Sequence, residues 1–173
     1  IAKGYPPPFR WIERRTYHRA AAALPTNPEA GDVLRRKGYR GTLERVPHAV
    51  DGQLFVPGRE DALRCQLGLQ GVVFGYVGRL VPEKGVTDLV RALATLAAKP
   101  HIGPWSALIV GAGSELVALQ AEARKLGVEG RIRFVPGVSH EDAARYMRCL
   151  DALVLPSHTT ASWKEQFGRV LIE

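Results

Sequence analysis

The sequence predicts an α/β fold, a doubly wound parallel sheet with helices on both faces. Three observations carry this. Four apolar runs of strand length follow one another at 72–77, 107–110, 131–135 and 152–156. Helical stretches at 86–99, 115–126 and 140–148 separate them, and strands that alternate with helices argue for a parallel sheet. The first, second and fourth runs (VVFGYV, ALIV, ALVLP) are apolar almost without interruption, as strands covered on both faces are.

The elements follow in order. Pro6, Pro7 and Pro8 remove donors and fix φ, so the chain enters without a regular helix. A helix with a basic face is expected over 9–24, stopped by Pro25. Thr26-Asn27-Pro28 supplies a capping residue followed by proline at the first helical position. A second helix is expected over 29–37, with Gly38 as its C-terminal stop. A short strand is expected near 43–46, and 47–58 reads as an irregular crossing segment. The α/β pattern occupies the rest. The chain opens at Ile1, and VLIE still reads as helix at Glu173, so a piece of a longer protein is expected, its fold incomplete at both ends.

Composition narrows the function classes. Apolar residues make up 46% and the mean hydropathy is −0.09, ordinary for a globular domain. No run of 18 apolar residues is present, so no membrane-spanning helix is expected. Cys65 and Cys149 make no disulfide framework, which fits a reducing compartment, and no Cys/His cluster has zinc spacing. The net charge of +7 is uneven: residues 1–60 hold 11 Lys/Arg against 6 Asp/Glu. Arg10, Arg14, Arg15, Arg19 and the Arg35-Arg36-Lys37 run suit an anionic surface or ligand, the plain alternative being a solvated helix face. No zinc finger or aromatic-interleaved RNA motif accompanies them, so nucleic acid is not an expected partner. A cytoplasmic protein with peripheral membrane contact through these arginines is the expectation.

In doubly wound sheets, ligands bind where the strands' carboxyl ends open into loops. Three such loops have suggestive content. In Gly78-Arg79-Leu80-Val81-Pro82-Glu83-Lys84-Gly85, Gly78 lets backbone approach a ligand, and Arg79 and Lys84 set two cations beside the next helix's N-terminus, a phosphate-favouring place. Two exposed basic residues in a loop are the plain alternative. Gly111-Ala112-Gly113-Ser114 is a tight strand-to-helix turn lacking the third glycine of a dinucleotide fingerprint; Gly111 and Gly113 suit either close ligand approach or turn chemistry. The third loop, 157–166, leads into WKEQFGRVLIE. If a helix starts near Gln166, Glu165 stands before it and Glu173 two turns inside, roughly 12 Å along the axis. The amides of Phe167, Gly168 and Arg169 would then be free donors between two carboxylates, a frame for a sugar, a diphosphate and a ribose. A dipole-compatible first-turn glutamate plus an ordinary surface glutamate is the alternative. By these residues alone, a non-catalytic nucleotide or nucleotide-sugar binding module and a flavodoxin-like interaction domain also remain open.

Glu165 and Glu173 form an E-x7-E pattern. Together with GRLVPEKG, VGAGSE and the VLPS to WKEQFGRVLIE run, in that order, they make residues 43–173 resemble glycosyltransferase family four, retaining nucleotide-sugar enzymes of GT-B fold. The resemblance implies a Rossmann-like donor-binding lobe at 59–173, an interdomain crossing at 43–58 and the last part of an acceptor-side lobe at 1–42. VPHAVD departs from the family's usual P-N-G-V-D there. The resemblance also implies that Arg79 and Lys84 neutralise the donor diphosphate and stabilise the leaving nucleotide. Glu165 would bond the transferred sugar and Glu173 the ribose. The backbone from Phe167 through Gly168 and Arg169 to Val170 would touch sugar and phosphate, and Gly137 would lie near the base. No D-x-D sequence is present, and no metal or other cofactor is expected. The implied donor is a UDP-, GDP- or ADP-sugar; the acceptor (polysaccharide, lipid or small molecule) is left open. A sheet edge left unpaired would invite self-association.

Overall fold

The computed structural model describes residues 4, 6–161 and 163–173. It divides into two compact units, one within Ile1–Ala49 and Ala161–Trp163, the other within Val50–Thr160 and Lys164–Glu173.

The first unit opens with α1 (Phe9–Arg19), shorter than the expected 9–24. Ala20 is extended, and Ala22–Ala23 (β1) pairs in parallel with Thr42–Leu43 (β2). Alanine is the best helix former, so local propensity reads 20–23 as helix; a pairing twenty residues distant overrides it. Pairing also sets β2 at 42–43 rather than 43–46. Between them, α2 (Pro28–Arg36) forms as its signals require: the Asn27 carboxamide oxygen accepts the Ala30 N–H at 2.8 Å, and Pro28 occupies the first turn. The chain closes α2 at Gly38, whose N–H reaches the Arg35 carbonyl.

The second unit holds α3 (Asp61–Gln66), β3 (Val72–Val77), α4 (Val86–Ala97), β4 (Trp105–Val110), α5 (Leu116–Lys125), β5 (Ile132–Val135), α6 (His140–Met147) and β6 (Ala152–Leu153). All four strands are parallel, in the order β5-β4-β3-β6. The α/β fold with helices on both faces is therefore present. Strand periodicity builds both faces. Tyr76, Trp105, Ala107 and Ile109 pack with Val86, Leu89, Val90 and Leu93 of α4 and Leu119 and Ala123 of α5. Val73, Leu108 and Val110 turn the other way, onto Leu63 of α3, Leu69, Cys149 and Tyr146 of α6. Each fully buried Leu, Ile or Val contributes about 2 kcal/mol relative to exposure.

Two strand bounds differ from expectation. β4 starts earlier, at Trp105, because its full length pairs with β3 from Val72 onward. β6 pairs only at Ala152 and Leu153, short of the expected 152–156, and Pro156 has no N–H to extend the ladder. An ion pair anchors this short strand. Arg64 is 8% exposed and donates to the carbonyls of Gly71 (2.8 Å) and Cys149 (3.1 Å) and to Asp151 (3.2 Å). The Asp151 carboxylate also accepts the Val73 N–H at 2.7 Å. The starts of β3 and β6 are thus tied, and the loops leaving their far ends are held side by side. Among the described residues, no helix is long and apolar enough to cross a membrane.

Candidate functional site

The strand order reverses beside β3: β4 and β5 lie to one side, and the chain then crosses over to place β6 on the other. Such a switch point leaves a crevice at the carboxyl ends of the two flanking strands. The loop after β3 carries Gly78, Arg79 and Lys84, and the segment after β6 carries Ser157, His158 and Glu165.

These two loops meet. The Lys84 ammonium lies 2.5 Å from the Glu165 carboxylate, which also accepts the Ser157 hydroxyl at 3.0 Å. The His158 N–H donates to the Glu83 carbonyl at 2.9 Å, and its ring is 2.7 Å from Asp88 in the first turn of α4. Burial pushes the Glu165 carboxyl up, but hydrogen bonds from Lys84, Ser157 and the Gly168 amide outweigh it and hold the group below its ordinary value. Side-chain exposures of 15% for Lys84 and 27% for Glu165 leave the pair reachable by a ligand.

The loops after β4 and β5 join the same end. The Leu80 N–H donates to the Ala112 carbonyl, the Glu115 N–H to the Leu80 carbonyl and the Gly111 N–H to the Val135 carbonyl, all within 3.0 Å. Gly111 and Gly113 have φ of 157° and 158°; a Cβ would stand 1.8 Å from the Gly78 oxygen at the first and 2.1 Å from the Leu80 oxygen at the second. Loop-to-loop packing therefore accounts for both glycines. Gly137 lies beside Ala112, where its Cβ would find a 3.3 Å contact.

Arg79 is exposed, and its carbonyl accepts the Tyr76 hydroxyl at 2.7 Å. Burial first, and then the nearby Glu165 charge, raise the Tyr76 pKa, so this hydroxyl stays protonated and keeps donating.

The final segment corrects one expectation. No α-helix starts near Gln166; Arg169–Leu171 form a single 3₁₀ turn. Gly168 is left-handed at φ 71°, and the residues after it hold one i→i+4 bond, Glu173 N–H to Arg169 C=O. A two-turn helix therefore does not separate Glu165 from Glu173, and the amides of Phe167, Gly168 and Arg169 do not form a helix end. The Gly168 amide instead faces Glu165. Glu173 takes the Arg169 guanidinium at 2.7 Å and 2.9 Å, while Val170 sits half-buried within the turn. The structure thus joins Glu165 to Lys84 and joins Glu173 to Arg169.

Sequence reasoning missed Ser157, Tyr76 and the His158–Asp88 pair. Tyr76 was hidden inside an apolar run, though a hydroxyl two residues before a loop glycine was a signal. His158 and Asp88 are seventy residues apart and carry no local pattern.

A family model described as glycosyl transferases group 1 matches residues 59–173. A D-inositol 3-phosphate glycosyltransferase of Mycobacterium sp. (strain JLS) is 36% identical over 138 residues, covering 76% of this chain and 29% of that protein. One from Stackebrandtia nassauensis is 31% identical over 185 residues, covering 99% and 41%. Among solved structures, Anabaena HepE in complex with UDP superposes with a TM-score of 0.75 at 25% identity, covering 92% of this chain and 43% of that one. Sucrose-phosphate synthase from Thermosynechococcus elongatus gives 0.73 at 27% identity, covering 94% and 40%. The chain thus spans less than half the length of each of these proteins, and its parallel α/β architecture matches that of GT-B glycosyltransferases.

Proposed function

The chain belongs to the group 1 glycosyl transferases, and on that premise we propose that it is the donor-binding half of a retaining enzyme that moves a sugar from a nucleoside-diphosphate sugar to an acceptor. The observation that carries this reading is the Lys84–Glu165 pair at the crevice between β3 and β6. It sets a cation for the diphosphate against a carboxylate for the sugar hydroxyls, and the exposed Arg79 supplies a second cation on the same loop. As the sugar–oxygen bond breaks, negative charge gathers on the departing diphosphate, and fixed cations lower that barrier most where water is excluded. Backbone at Gly78, Gly111, Gly113 and Gly137 borders the donor, Phe167 to Val170 contact sugar and phosphate, and Glu173 bonds the ribose. HepE has been solved with UDP and with UDP-glucose, which makes a uridine donor the first to test ahead of GDP- and ADP-sugars.

Lys84→Ala separates the phosphate role from general damage. Calorimetric titration should find UDP at least about tenfold weaker, the loss of one charge-assisted bond, with uridine changed less than about twofold. Equal weakening of UDP and uridine would remove Lys84 from the diphosphate.

A further inference from the structure

A second polar cavity opens at the opposite end of the sheet, where β3, β4 and β5 begin. Its volume is about 430 Å³, enough for a small metabolite, and it is lined by Gln70, Trp105, Ser106, Arg131 and Arg133 among others. Four features mark it as a built site. No lining residue is acidic, so two guanidinium groups face the space without a lining carboxylate. Arg133 spends its Nε–H on the Leu67 carbonyl at 2.8 Å, which steadies the side chain and leaves its outer nitrogens available. The Arg131 guanidinium makes no hydrogen bond among the described residues and lies over the Trp105 ring, 4.9 Å from its centroid. Trp105 is 4% exposed, and its indole N–H is a buried donor with no acceptor among the described residues. An unsatisfied buried donor costs about 1–3 kcal/mol and calls for an explanation. The Ser106 hydroxyl meanwhile exchanges hydrogen bonds with the Gln70 backbone at 2.8 and 3.0 Å, fixing one wall.

We propose that this cavity binds a small phosphate-bearing metabolite, held by Arg131 and Arg133. Two guanidinium forks match the charge and oxygen geometry of a dianionic phosphate monoester. The cavity lies at the amino ends of the strands and shares no residue with the loops at their carboxyl ends, so the two sites are separately testable. Drawing Arg131 off the indole toward an anion changes the surroundings of Trp105, which supplies an optical signal.

The test titrates glycerol 3-phosphate, inorganic phosphate and citrate against the folded chain, following tryptophan fluorescence and thermal stability. Saturable binding of glycerol 3-phosphate is expected, at least about tenfold weaker in Arg131→Gln/Arg133→Gln. It should be unchanged in Lys84→Ala, and the fluorescence response should vanish in Trp105→Phe while binding persists. Binding retained by the double variant, lost in Lys84→Ala, or absent from the unaltered chain overturns the proposal. Citrate binding tighter than either phosphate would assign the cavity to carboxylates and overturn the phosphate class.

Discussion

Glu165→Gln should tighten the binding of UDP rather than weaken it. In the free protein the Glu165 carboxylate holds the Lys84 ammonium at 2.5 Å. The diphosphate must draw that ammonium away and then sit beside a remaining negative charge. Glutamine keeps an oxygen to accept from Ser157 and Gly168 but removes the charge. With 15% and 27% of the two side chains exposed, the pair lies between a screened surface bridge and a buried one, so its strength is about 1 kcal/mol. Relieving the competition from Glu165 by that amount corresponds to a roughly fivefold gain in UDP affinity. The same change removes about 1 kcal/mol from folding stability, a fall of roughly 3 °C in Tm for a chain of this size. A UDP-sugar should gain less than UDP, because its hydroxyls lose a charged acceptor. Calorimetry at low ionic strength, where the pair is least screened, reads both affinities, and scanning calorimetry reads the stability. UDP binding three times weaker or worse in the variant would mean that Glu165 assists the diphosphate, and the competition argument would fall.

Two further outcomes follow from the packing. Gly113→Ala puts a Cβ 2.1 Å from the Leu80 oxygen at a φ few other residues adopt, so a loss of about 3 kcal/mol or more is expected. Gly52→Ala, where a Cβ meets nothing within 4 Å, should stay within about 0.5 kcal/mol, and equal denaturation midpoints for the two would refute the close packing. Acid should unfold the chain through its paired carboxyls. The Arg64 hydrogen bonds hold Asp151 below its ordinary value of 3.8, and Glu165 is held below 4.5. A lowered folded pKa gives stability that is complete above the unfolded value and lost as pH falls through the folded one. Asp151→Asn should therefore cost about 1 kcal/mol at pH 7 and flatten the decline below pH 4; an unchanged acid limb would show that the Arg64 tie does not act through charge.

The α/β class was legible because the second-unit strands and the helices between them announce themselves locally; α3 (Asp61–Gln66) was not read from the sequence. VVFGYV coincides with β3, and the capping at Asn27 set the start of α2. The Arg79 and Lys84 loop was legible for the same reason, since glycine, proline and paired cations after a buried strand are a local pattern. Three things needed the folded molecule. Ala22–Ala23 became a strand because a distant partner outweighed alanine's helix preference. The final segment stayed a 3₁₀ turn around left-handed Gly168, so the E-x7-E spacing did not become a helical ruler. Lys84 found Glu165 because β6 lies beside β3, a neighbourhood created by the reversal of strand order. Local propensity and periodicity act over a few residues and can be read along the chain. Which loops face each other depends on strand order, and that is settled only when all the apolar faces are buried together.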